Sequence, residues 1–280
     1  MFIDERQIRQ AARWVEEAQA LLITAGAGMG VDSGLPDFRG PEGLWRAYPA
    51  LRQSHMSFQE IASPSAFATR PELAWGFYGH RLALYRATQP HAGFDILRRW
   101  AGRAPAGARV FTSNVDGQFQ KAGFAPGEVH ECHGSLHLLQ CQQPCRAVTW
   151  PADTFKPEFP DPDQLRLATM PSCPHCGALA RPNVLMFNDW AWVDEPTQDS
   201  ALRLRGWLHR HKHDLLVIEI GAGTAIPTAR RFGERHASRL IRINAYDAGV
   251  AGTADQLGIE GAALDVLSRI ENVLHGSGAI

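Results

Sequence analysis

Four of the five cysteines form two close pairs whose spacing suits metal binding. The first pair encloses three residues and the second encloses two, with 27 residues between the pairs. Four thiolates at this spacing can complete a tetrahedral zinc site, whereas an odd total of cysteines does not suit a disulfide framework. Gly177, directly after the second pair, is typical of a knuckle turn, and His175 and Cys132 are less favoured alternative ligands. The predicted ligands of a structural zinc ion are Cys141, Cys145, Cys173 and Cys176.

Residues 24–40, TAGAGMGVDSGLPDFRG, combine a glycine-rich turn with an acidic, an aromatic and a basic side chain. A glycine-rich turn after a buried strand usually binds phosphate, because its backbone N–H groups point at the ligand. The turn alone is a weak signal, since glycines also occur wherever the backbone must bend. Asp37, Phe38 and Arg39 exceed what a phosphate turn requires, and they indicate a second chemical task beside the phosphate.

Short apolar runs indicate the strands that must position these residues. One run, 20–23, ends at the glycine-rich turn, and the runs within 108–114, 214–223 and 240–245 also end in polar or glycine-rich turns. Such runs are typical of parallel strands buried on both faces, and helical patterns lie between them. The predicted fold is therefore α/β, with a doubly wound, Rossmann-like parallel sheet that binds its ligand at the carboxyl ends of the strands.

Two segments interrupt the alternation of strands and helices. Residues 41–90 are mostly helical in pattern, and residues 138–182 are rich in proline and cysteine with little periodicity. We expect these two insertions to form a smaller helical and zinc-binding module. The Rossmann-like domain then comprises residues 1–40, 91–137 and 183–280.

Charge and hydropathy narrow the range of partners. The 280 residues carry a formal net charge of -1, with a pI near 6.9, which predicts neither nucleic-acid binding nor attraction to an anionic membrane. The N-terminal segment contains acids and lacks the long apolar stretch of a signal peptide. We therefore expect a cytoplasmic protein whose partners are small molecules and protein segments.

The glycine-rich segment resembles the signature of the sirtuins, the NAD-dependent protein deacylases. Five further segments resemble sirtuin motifs in the family's order along the chain. They are TSNVDG (112–117), HECHGS (130–135), RPNVLMF (181–187), GAGT (221–224) and INAYD (243–247). The resemblance covers most of the chain and implies NAD as the cofactor and an acyl-lysine protein or peptide as the substrate.

The resemblance also implies how NAD is bound. Phe38 would shield the reactive face of the ribose and Arg39 would contact the diphosphate or the ribose. Asn114 and Asp116 would orient the ribose and the nicotinamide carboxamide, although Asp116 has an alternative role as a cap of the following helix. The residues implied to bind NAD are Gly26, Ala27, Gly28, Asp37, Phe38, Arg39, Ser113, Asn114, Asp116, Gly221, Gly223, Thr224 and Asn244.

His133 occupies the position of the family's general base. A lone histidine is more often structural, and this chain has 12, so the assignment depends on the motif. A group with a pKa near neutrality suits removal of a proton from a ribose hydroxyl. The implied catalytic residues are His133, Asn114 and Asp116. The implied substrate-binding strand contains Val184, Leu185, Met186 and Phe187.

Tyr78 and Arg81 have the Tyr-x-x-Arg spacing of sirtuins that remove acidic acyl groups. One helical turn separates the two residues, so both can point into one pocket, where a guanidinium suits a carboxylate. The alternative is an ordinary helix face on which Arg81 is solvated. The sequence leaves both interpretations open.

Several positions depart from the sirtuin pattern near the cofactor and the substrate strand. Gly30 stands in place of a serine, Ser113 in place of a glutamine and Phe119 in place of a histidine. Asn188 and Asp189 stand where the family commonly has Gly-Glu. These departures make NAD binding a firmer expectation than efficient deacylation.

Three functions are compatible with the sequence. The leading one is an NAD-dependent protein-lysine deacylase that yields nicotinamide, O-acyl-ADP-ribose and free lysine. The second is an ADP-ribosyltransferase or NAD hydrolase, which the presence of His133 disfavours because simple transfer has less need of a base. The third is an NAD or ADP-ribose sensor without turnover, which the loss of the glutamine before Asn114 keeps open.

Overall fold

The computed structural model describes residues 3–37, 44, 48–53, 55–159, 165–167 and 169–276. The strands are β1 (Ala20–Ala25), β2 (Ala108–Thr112), β3 (Val129–Glu131), β4 (Gly134–Cys141), β5 (Thr149–Pro151), β6 (Ala180–Val184), β7 (Leu215–Ile220), β8 (Arg239–Asn244) and β9 (Gln256–Glu260). The α-helices are α1 (Glu5–Glu17), α2 (Pro49–Gln53), α3 (Phe58–Ile61), α4 (Pro64–Thr69), α5 (Pro71–Ala87), α6 (Ala92–Arg103), α7 (Gln118–Lys121), α8 (Glu195–His211), α9 (Thr228–His236) and α10 (Ala263–Gly276). Residues Ala27–Ser33 and Pro126–Glu128 form 3₁₀ helices.

Six strands form a parallel sheet in the order β3-β2-β1-β7-β8-β9. The central strands β1 and β7 are buried along their whole length, which explains their continuous apolar sequences. Alternate side chains of β1 enter different cores: Leu21 and Ile23 pack with helices α1, α6 and α10, whereas Leu22 packs with α8 and α9. The strand order reverses between β1 and β7, and a doubly wound sheet opens a crevice at such a point.

Three strands form a second, antiparallel sheet in the order β5-β4-β6. Helices α3, α4 and α5 pack around it through an aromatic-rich core, and the indole N–H of Trp75 on α5 donates a hydrogen bond of 2.8 Å to the carbonyl of Ala180 on β6. This sheet runs from Gly134 to Val184, so it extends a few residues beyond the boundaries expected from the sequence, 138 and 182. Strand pairing between β4 and β6 accounts for the difference.

The apolar runs predicted β1, β2, β7 and β8 but missed β9. The segment QLGIE is short and contains Gly258, at which a Cβ would lie 2.1 Å from the carbonyl oxygen of Ala248. An edge strand with a glycine has no continuous apolar signal. Among the described helices, none is both long and apolar enough to cross a lipid bilayer.

Candidate active site

Two glycine turns meet at the crevice between β1 and β7. The N–H of Gly28 donates a hydrogen bond of 3.1 Å to the carbonyl of Gly221, and the N–H of Gly26 donates one of 3.0 Å to the carbonyl of Ile220. A Cβ on Gly28 would lie 2.6 Å from the Cα of Gly221, and Gly221 itself has a φ of +59°. Both positions therefore require glycine. The contact brings the backbones of the two turns together at the carboxyl ends of their strands.

A cleft of about 200 Å³ opens beside these turns, and it extends toward β8 and β9. Its lining combines backbone of the glycine turns with side chains from the segments after β8 and β9. The lining residues are Gly28, Val31, Asp32, Asp37, Gly221, Ile243, Asn244, Ala245, Tyr246, Gly261, Ala262 and Ala263. The backbone of the glycine turns leaves a space that a Cβ would fill, and this space lies where the strand order of the parallel sheet reverses. Such a space fits the diphosphate of a dinucleotide.

Asn244 at the end of β8 organises one wall of the cleft. Its side chain is buried, and its amide donates a hydrogen bond of 3.0 Å to the carbonyl of Ala222. Its Oδ1 accepts hydrogen bonds of 3.1 Å from the N–H groups of Tyr246 and Asp247. Asn244 thus joins the turn after β7 to the loop after β8.

The segment after β2 is attached to the first glycine turn in the same manner. The amide of Asn114 donates a hydrogen bond of 3.0 Å to the carbonyl of Gly26, and the hydroxyl of Thr112 donates one of 3.1 Å to the carbonyl of Ala25. The backbone N–H of Ser113 donates to the same Ala25 carbonyl. Ser113 and Asn114 therefore lie on the side of the first glycine turn that is opposite to β8.

Of the other residues predicted to bind the cofactor, only some belong to the part of the chain that the structure describes. Ala27, Gly223 and Thr224 are exposed, and no atom lies within 4 Å of a Cβ placed on Gly223. Asp37 is half-buried and lines the cleft. Phe38 and Arg39 lie outside the residues that the structure describes.

His133 lies between the cleft and the segment that continues from β6. Its side chain is half-buried, and burial lowers its pKa, while a hydrogen bond to the Ser113 backbone acts in the opposite direction. The carbonyl of His133 accepts a hydrogen bond of 2.9 Å from the N–H of Leu185. A lowered pKa keeps the imidazole neutral near pH 7, which is the form that can accept a proton.

Asp116 is buried beside a second carboxyl group. Burial raises the pKa of Asp116 to about 6, although the Gln118 N–H donates a hydrogen bond of 2.9 Å to its Oδ1. The alternative role as a helix cap is therefore present in the geometry, because Gln118 begins α7. Burial also raises the pKa of Glu131 to about 8, with the charge of Asp116 as a further cause. Glu131 is not among the residues that the sequence predicts for the site.

The predicted substrate strand continues from β6 with alternating exposure. Val184 and Met186 are buried, whereas the side chain of Leu185 is 39% exposed. The N–H of Phe187 donates a hydrogen bond of 2.9 Å to the carbonyl of Ala62. The segment is thus held at Leu185 by His133 and at Phe187 by the residue that follows α3.

Two departures from the sirtuin pattern have a structural explanation at the end of this segment. Asn188 has a φ of +55°, a conformation that glycine adopts freely and that asparagine tolerates. Asp189 accepts a hydrogen bond of 2.8 Å from Arg181, and both side chains are fully buried. Asn188 therefore forms the turn at the end of the segment, and Asp189 forms the ion pair with Arg181.

Tyr78 and Arg81 are both buried on α5. The Nε and Nη2 atoms of Arg81 donate hydrogen bonds of 3.0 and 2.7 Å to the hydroxyl of Tyr85, and its guanidinium lies 5.3 to 5.7 Å from the ring centroids of Phe77, Tyr78 and Tyr85. Arg81 is 8% exposed, so the interpretation of a solvated helix face is wrong. Burial raises the pKa of Tyr78 to about 12, which keeps its hydroxyl neutral.

The four predicted zinc ligands converge in the smaller module. Their sulfur atoms all lie within 4.8 Å of one another, and the pairs Cys141–Cys176 and Cys145–Cys173 are each 3.7 Å apart. Zinc–sulfur bonds of about 2.3 Å place the sulfurs of a tetrahedral site about 3.8 Å apart. Gly177 has a φ of +74°, as the knuckle turn requires. These four thiols fit one structural zinc ion.

The thiolate is favoured at Cys173, whereas burial raises the pKa values of Cys141 and Cys145. Burial alone would raise the pKa of Cys173, but hydrogen bonds from the N–H groups of His175 and Cys176 lower it to about 7. Cys132, the alternative ligand, lies outside this cluster beside His133.

The fold and these two sites define a dinucleotide-binding α/β protein with a four-cysteine module. The model of the Sir2 family matches residues 26–202, which is more than half of the sequence. The chain belongs to the Sir2 family.

Relatives and solved structures agree with this assignment. The chain is 32% identical over 241 residues to NAD-dependent protein deacylase 1 of Pseudomonas aeruginosa, covering 85% of this chain and 87% of that protein. It is 30% identical over 237 residues to an NAD-dependent protein deacylase of Aquifex aeolicus, covering 84% and 87%. The crystal structure of a Sir2 homologue in complex with NAD is similar in fold, with a TM-score of 0.70 and 24% identity over 98% of this chain and 94% of that chain.

Proposed function

We propose that this protein is an NAD-dependent protein-lysine deacylase that releases nicotinamide, O-acyl-ADP-ribose and free lysine. The observation that carries the proposal is the position of His133. Its imidazole is close enough to the Ser113 backbone, which follows β2, for that backbone to raise its pKa, and its carbonyl accepts a hydrogen bond from the N–H of Leu185 on the candidate substrate segment. A base between a cofactor and an acyl-lysine is what deacylation requires.

The cleft supports the assignment of NAD as co-substrate. NAD supplies a ribose carbon whose bond to nicotinamide is broken in the reaction. The glycine turns at Gly26, Gly28 and Gly221 would hold the diphosphate, with the adenosine half toward Asn244 and the nicotinamide half toward Asn114 and Asp116. This direction places the reacting ribose on the same side of the switch point as His133.

His133 would act as the general base in this arrangement. Its lowered pKa keeps the imidazole neutral at physiological pH, and its half-buried position allows contact with a ribose hydroxyl. The bond from its carbonyl to Leu185 fixes the distance between the base and the peptide segment. Val184, Leu185, Met186 and Phe187 would bind an extended peptide along this segment. Because the N–H groups of Leu185, Met186 and Phe187 already donate to His133, Asp189 and Ala62, the backbone carbonyls would supply the hydrogen bonds.

We further propose that acidic acyl groups are preferred. Arg81 is buried and is held by the neutral hydroxyl of Tyr85 and by aromatic faces, so its orientation is fixed before a substrate arrives. A fixed guanidinium suits a succinyl or glutaryl carboxylate, which can accept two parallel hydrogen bonds. Tyr78, one helical turn before Arg81, would complete that pocket.

The test is incubation with NAD and a panel of acetyl-, succinyl- and glutaryl-lysine peptides, following nicotinamide release and peptide mass together. Deacylated peptide and nicotinamide in equal amounts are expected, and the His133→Ala variant serves as the matched control. Release of nicotinamide without a change in peptide mass would indicate NAD hydrolysis or ADP-ribosyl transfer. Binding of NAD without either product would indicate a sensor.

A further inference from the structure

Four charged side chains form a cluster, here called the charge cluster, behind the cofactor cleft: Glu219, Arg230, Glu234 and Arg242. Glu219 and Arg242 face each other across β7 and β8, and the Nε and Nη2 atoms of Arg242 donate hydrogen bonds of 2.7 and 2.9 Å to the Glu219 carboxylate. The Nη2 atom of Arg242 also lies 2.6 Å from Glu234, and the Nε atom of Arg230 lies 3.5 Å from Glu219. Two positive and two negative charges balance within the cluster.

The two arginines of the charge cluster reach the backbone of the cleft wall. The Nη2 atom of Arg230 donates hydrogen bonds of 3.2 Å to the carbonyl of Ala222 and 2.7 Å to the carbonyl of Asp247. The Nη1 atom of Arg242 donates one of 2.5 Å to the carbonyl of Gly249. Arg230 therefore connects the turn after β7 to the loop after β8, and Arg242 holds the same loop two residues further on.

This loop contributes directly to the cleft. Ala245 and Tyr246 line it, and the side chain of Tyr246 is 70% exposed. Hydrogen bonds to Asn244 and from the two arginines hold the backbone of the loop. The half of the cleft that this loop lines is the half away from Asn114 and His133.

We infer that Arg230 is a positioning residue for the adenosine half of NAD, an inference that rests on the proposed function. By joining the Ala222 and Asp247 carbonyls, Arg230 sets the width of the cleft before the ligand binds. Glu219 lies 3.5 Å from the Nε of Arg230 and balances the charge of the guanidinium, while the hydrogen bonds to the two carbonyls set its orientation. When the loop is already ordered, less of the binding free energy of NAD is lost in ordering it. Arg230 should therefore increase the affinity for the cofactor and leave the rate of the chemical step unchanged.

The experiment compares three variants with the wild-type protein. Arg230→Met removes the donors, and Arg230→Lys keeps the charge but replaces the planar guanidinium by a compact ammonium. Arg231→Met is the control because Arg231 is the exposed neighbour on α9. ADP-ribose, which undergoes no reaction, is titrated by calorimetry. The kcat and the KM for NAD and for the acyl-lysine peptide are measured in parallel, together with amide hydrogen exchange of residues 245–250.

For Arg230→Met we expect about tenfold weaker ADP-ribose binding and an equal rise in the KM for NAD, with kcat and the peptide KM within about twofold. Amide exchange at Tyr246 and Asp247 should accelerate in this variant, to a smaller extent in Arg230→Lys, and not in Arg231→Met. Arg230→Lys should recover part of the affinity, and Arg231→Met should match the wild type.

Two failures are distinguishable. Wild-type protein that binds no ADP-ribose would overturn the proposed function, and the inference with it. Wild-type binding that Arg230→Met and Arg230→Lys leave unchanged would overturn the inference alone. Equal loss of kcat, peptide affinity and thermal stability in both variants would show that Arg230 only supports the fold, and if Arg230→Met does not fold, the affinity and exchange of Arg230→Lys decide the question.

Discussion

The N–H of Leu185 donates a hydrogen bond of 2.9 Å to the carbonyl of His133, so the candidate base and the candidate substrate segment are fixed to each other. Because this bond uses the backbone of His133, removing the imidazole leaves the segment in place. We therefore expect His133→Ala to lose deacylation by about a hundredfold or more while the affinity for NAD changes by less than about threefold. Nicotinamide exchange should survive better than product formation, and unchanged deacylation in the folded variant would contradict the assignment.

The pH dependence of the wild-type reaction follows from the same residue. Burial lowers the pKa of His133, so the base is neutral at pH 7 and becomes protonated only below its ordinary range near 6.5. The rate should therefore be higher at pH 7 than in the acidic range below 6.5, where the base becomes protonated. A profile of kcat against pH measures this limb, which would be absent if His133 took no part in proton transfer.

Gly28→Ala should disrupt the cofactor cleft. Its Cβ would lie 2.6 Å from the Cα of Gly221, and backbone cannot move aside as a flexible side chain can. We expect a loss of unfolding free energy of about 2–4 kcal/mol and no measurable ADP-ribose binding. Gly223→Ala is the contrasting variant: its Cβ meets nothing within 4 Å, so thermal stability should not change. Equal stability of the two variants would contradict the close contact between the glycine turns.

Loss of zinc should affect folding before it affects chemistry. Cys173→Ser removes one of four converging thiols in the smaller module, and structural zinc contributes directly to the free energy of folding. We expect less than one zinc ion per chain by mass spectrometry and a Tm lower by about 10 °C or more. Cys132→Ser, outside the cluster, should retain one zinc ion. A folded, metal-free wild-type protein with four titratable thiols in this module would contradict the prediction.

Arg81→Met should alter the choice of acyl group. If the guanidinium pairs with an acyl carboxylate, its loss removes a charge-assisted bond worth about 1.5–3 kcal/mol, which is about ten- to a hundredfold in kcat/KM for succinyl- or glutaryl-lysine. The kcat/KM of the same variant for acetyl-lysine is the internal control and should change little. Tyr85→Phe removes the hydroxyl that orients Arg81 and should give a smaller loss of the same selectivity. Equal losses of kcat/KM for acetyl-lysine and succinyl-lysine would show that Arg81 stabilises α5 and does not select the acyl group.

The sequence predicted the central sheet, the glycine turns and the cysteine cluster because each has a local signal. Continuous apolar runs mark β1 and β7, and the cysteine spacing marks the metal site. The burial of Arg81 has no such signal, because α5 is buried on several sides and its periodicity does not select one face. Glu219 and Arg242 are charged residues inside two predicted buried strands, and this placement indicates an ion pair. Only the strand register, which depends on tertiary structure, shows that they are partners.

Asp116 provides the last prediction, which concerns stability and not rate. Burial raises its folded-state pKa to about 6 from an ordinary value of 3.8, so folding favours the protonated form. The stability from this group is therefore complete below about pH 4, falls as the pH rises toward 6, and is lost above it. The shift of about two pKa units corresponds to about 2–3 kcal/mol.

Asp116→Asn replaces the carboxylate by a neutral group of the same shape that can still accept the Gln118 hydrogen bond. We expect this variant to be more stable than the wild type by about 1–3 kcal/mol at pH 8 and to differ little at pH 4, measured by urea unfolding at both pH values. NAD affinity or turnover should fall in the same variant, because the proposed function directs the nicotinamide half of NAD toward Asp116. A stability difference between variant and wild type that is the same at pH 4 and pH 8 would show that the Asp116 carboxylate is not ionised at a cost to the fold.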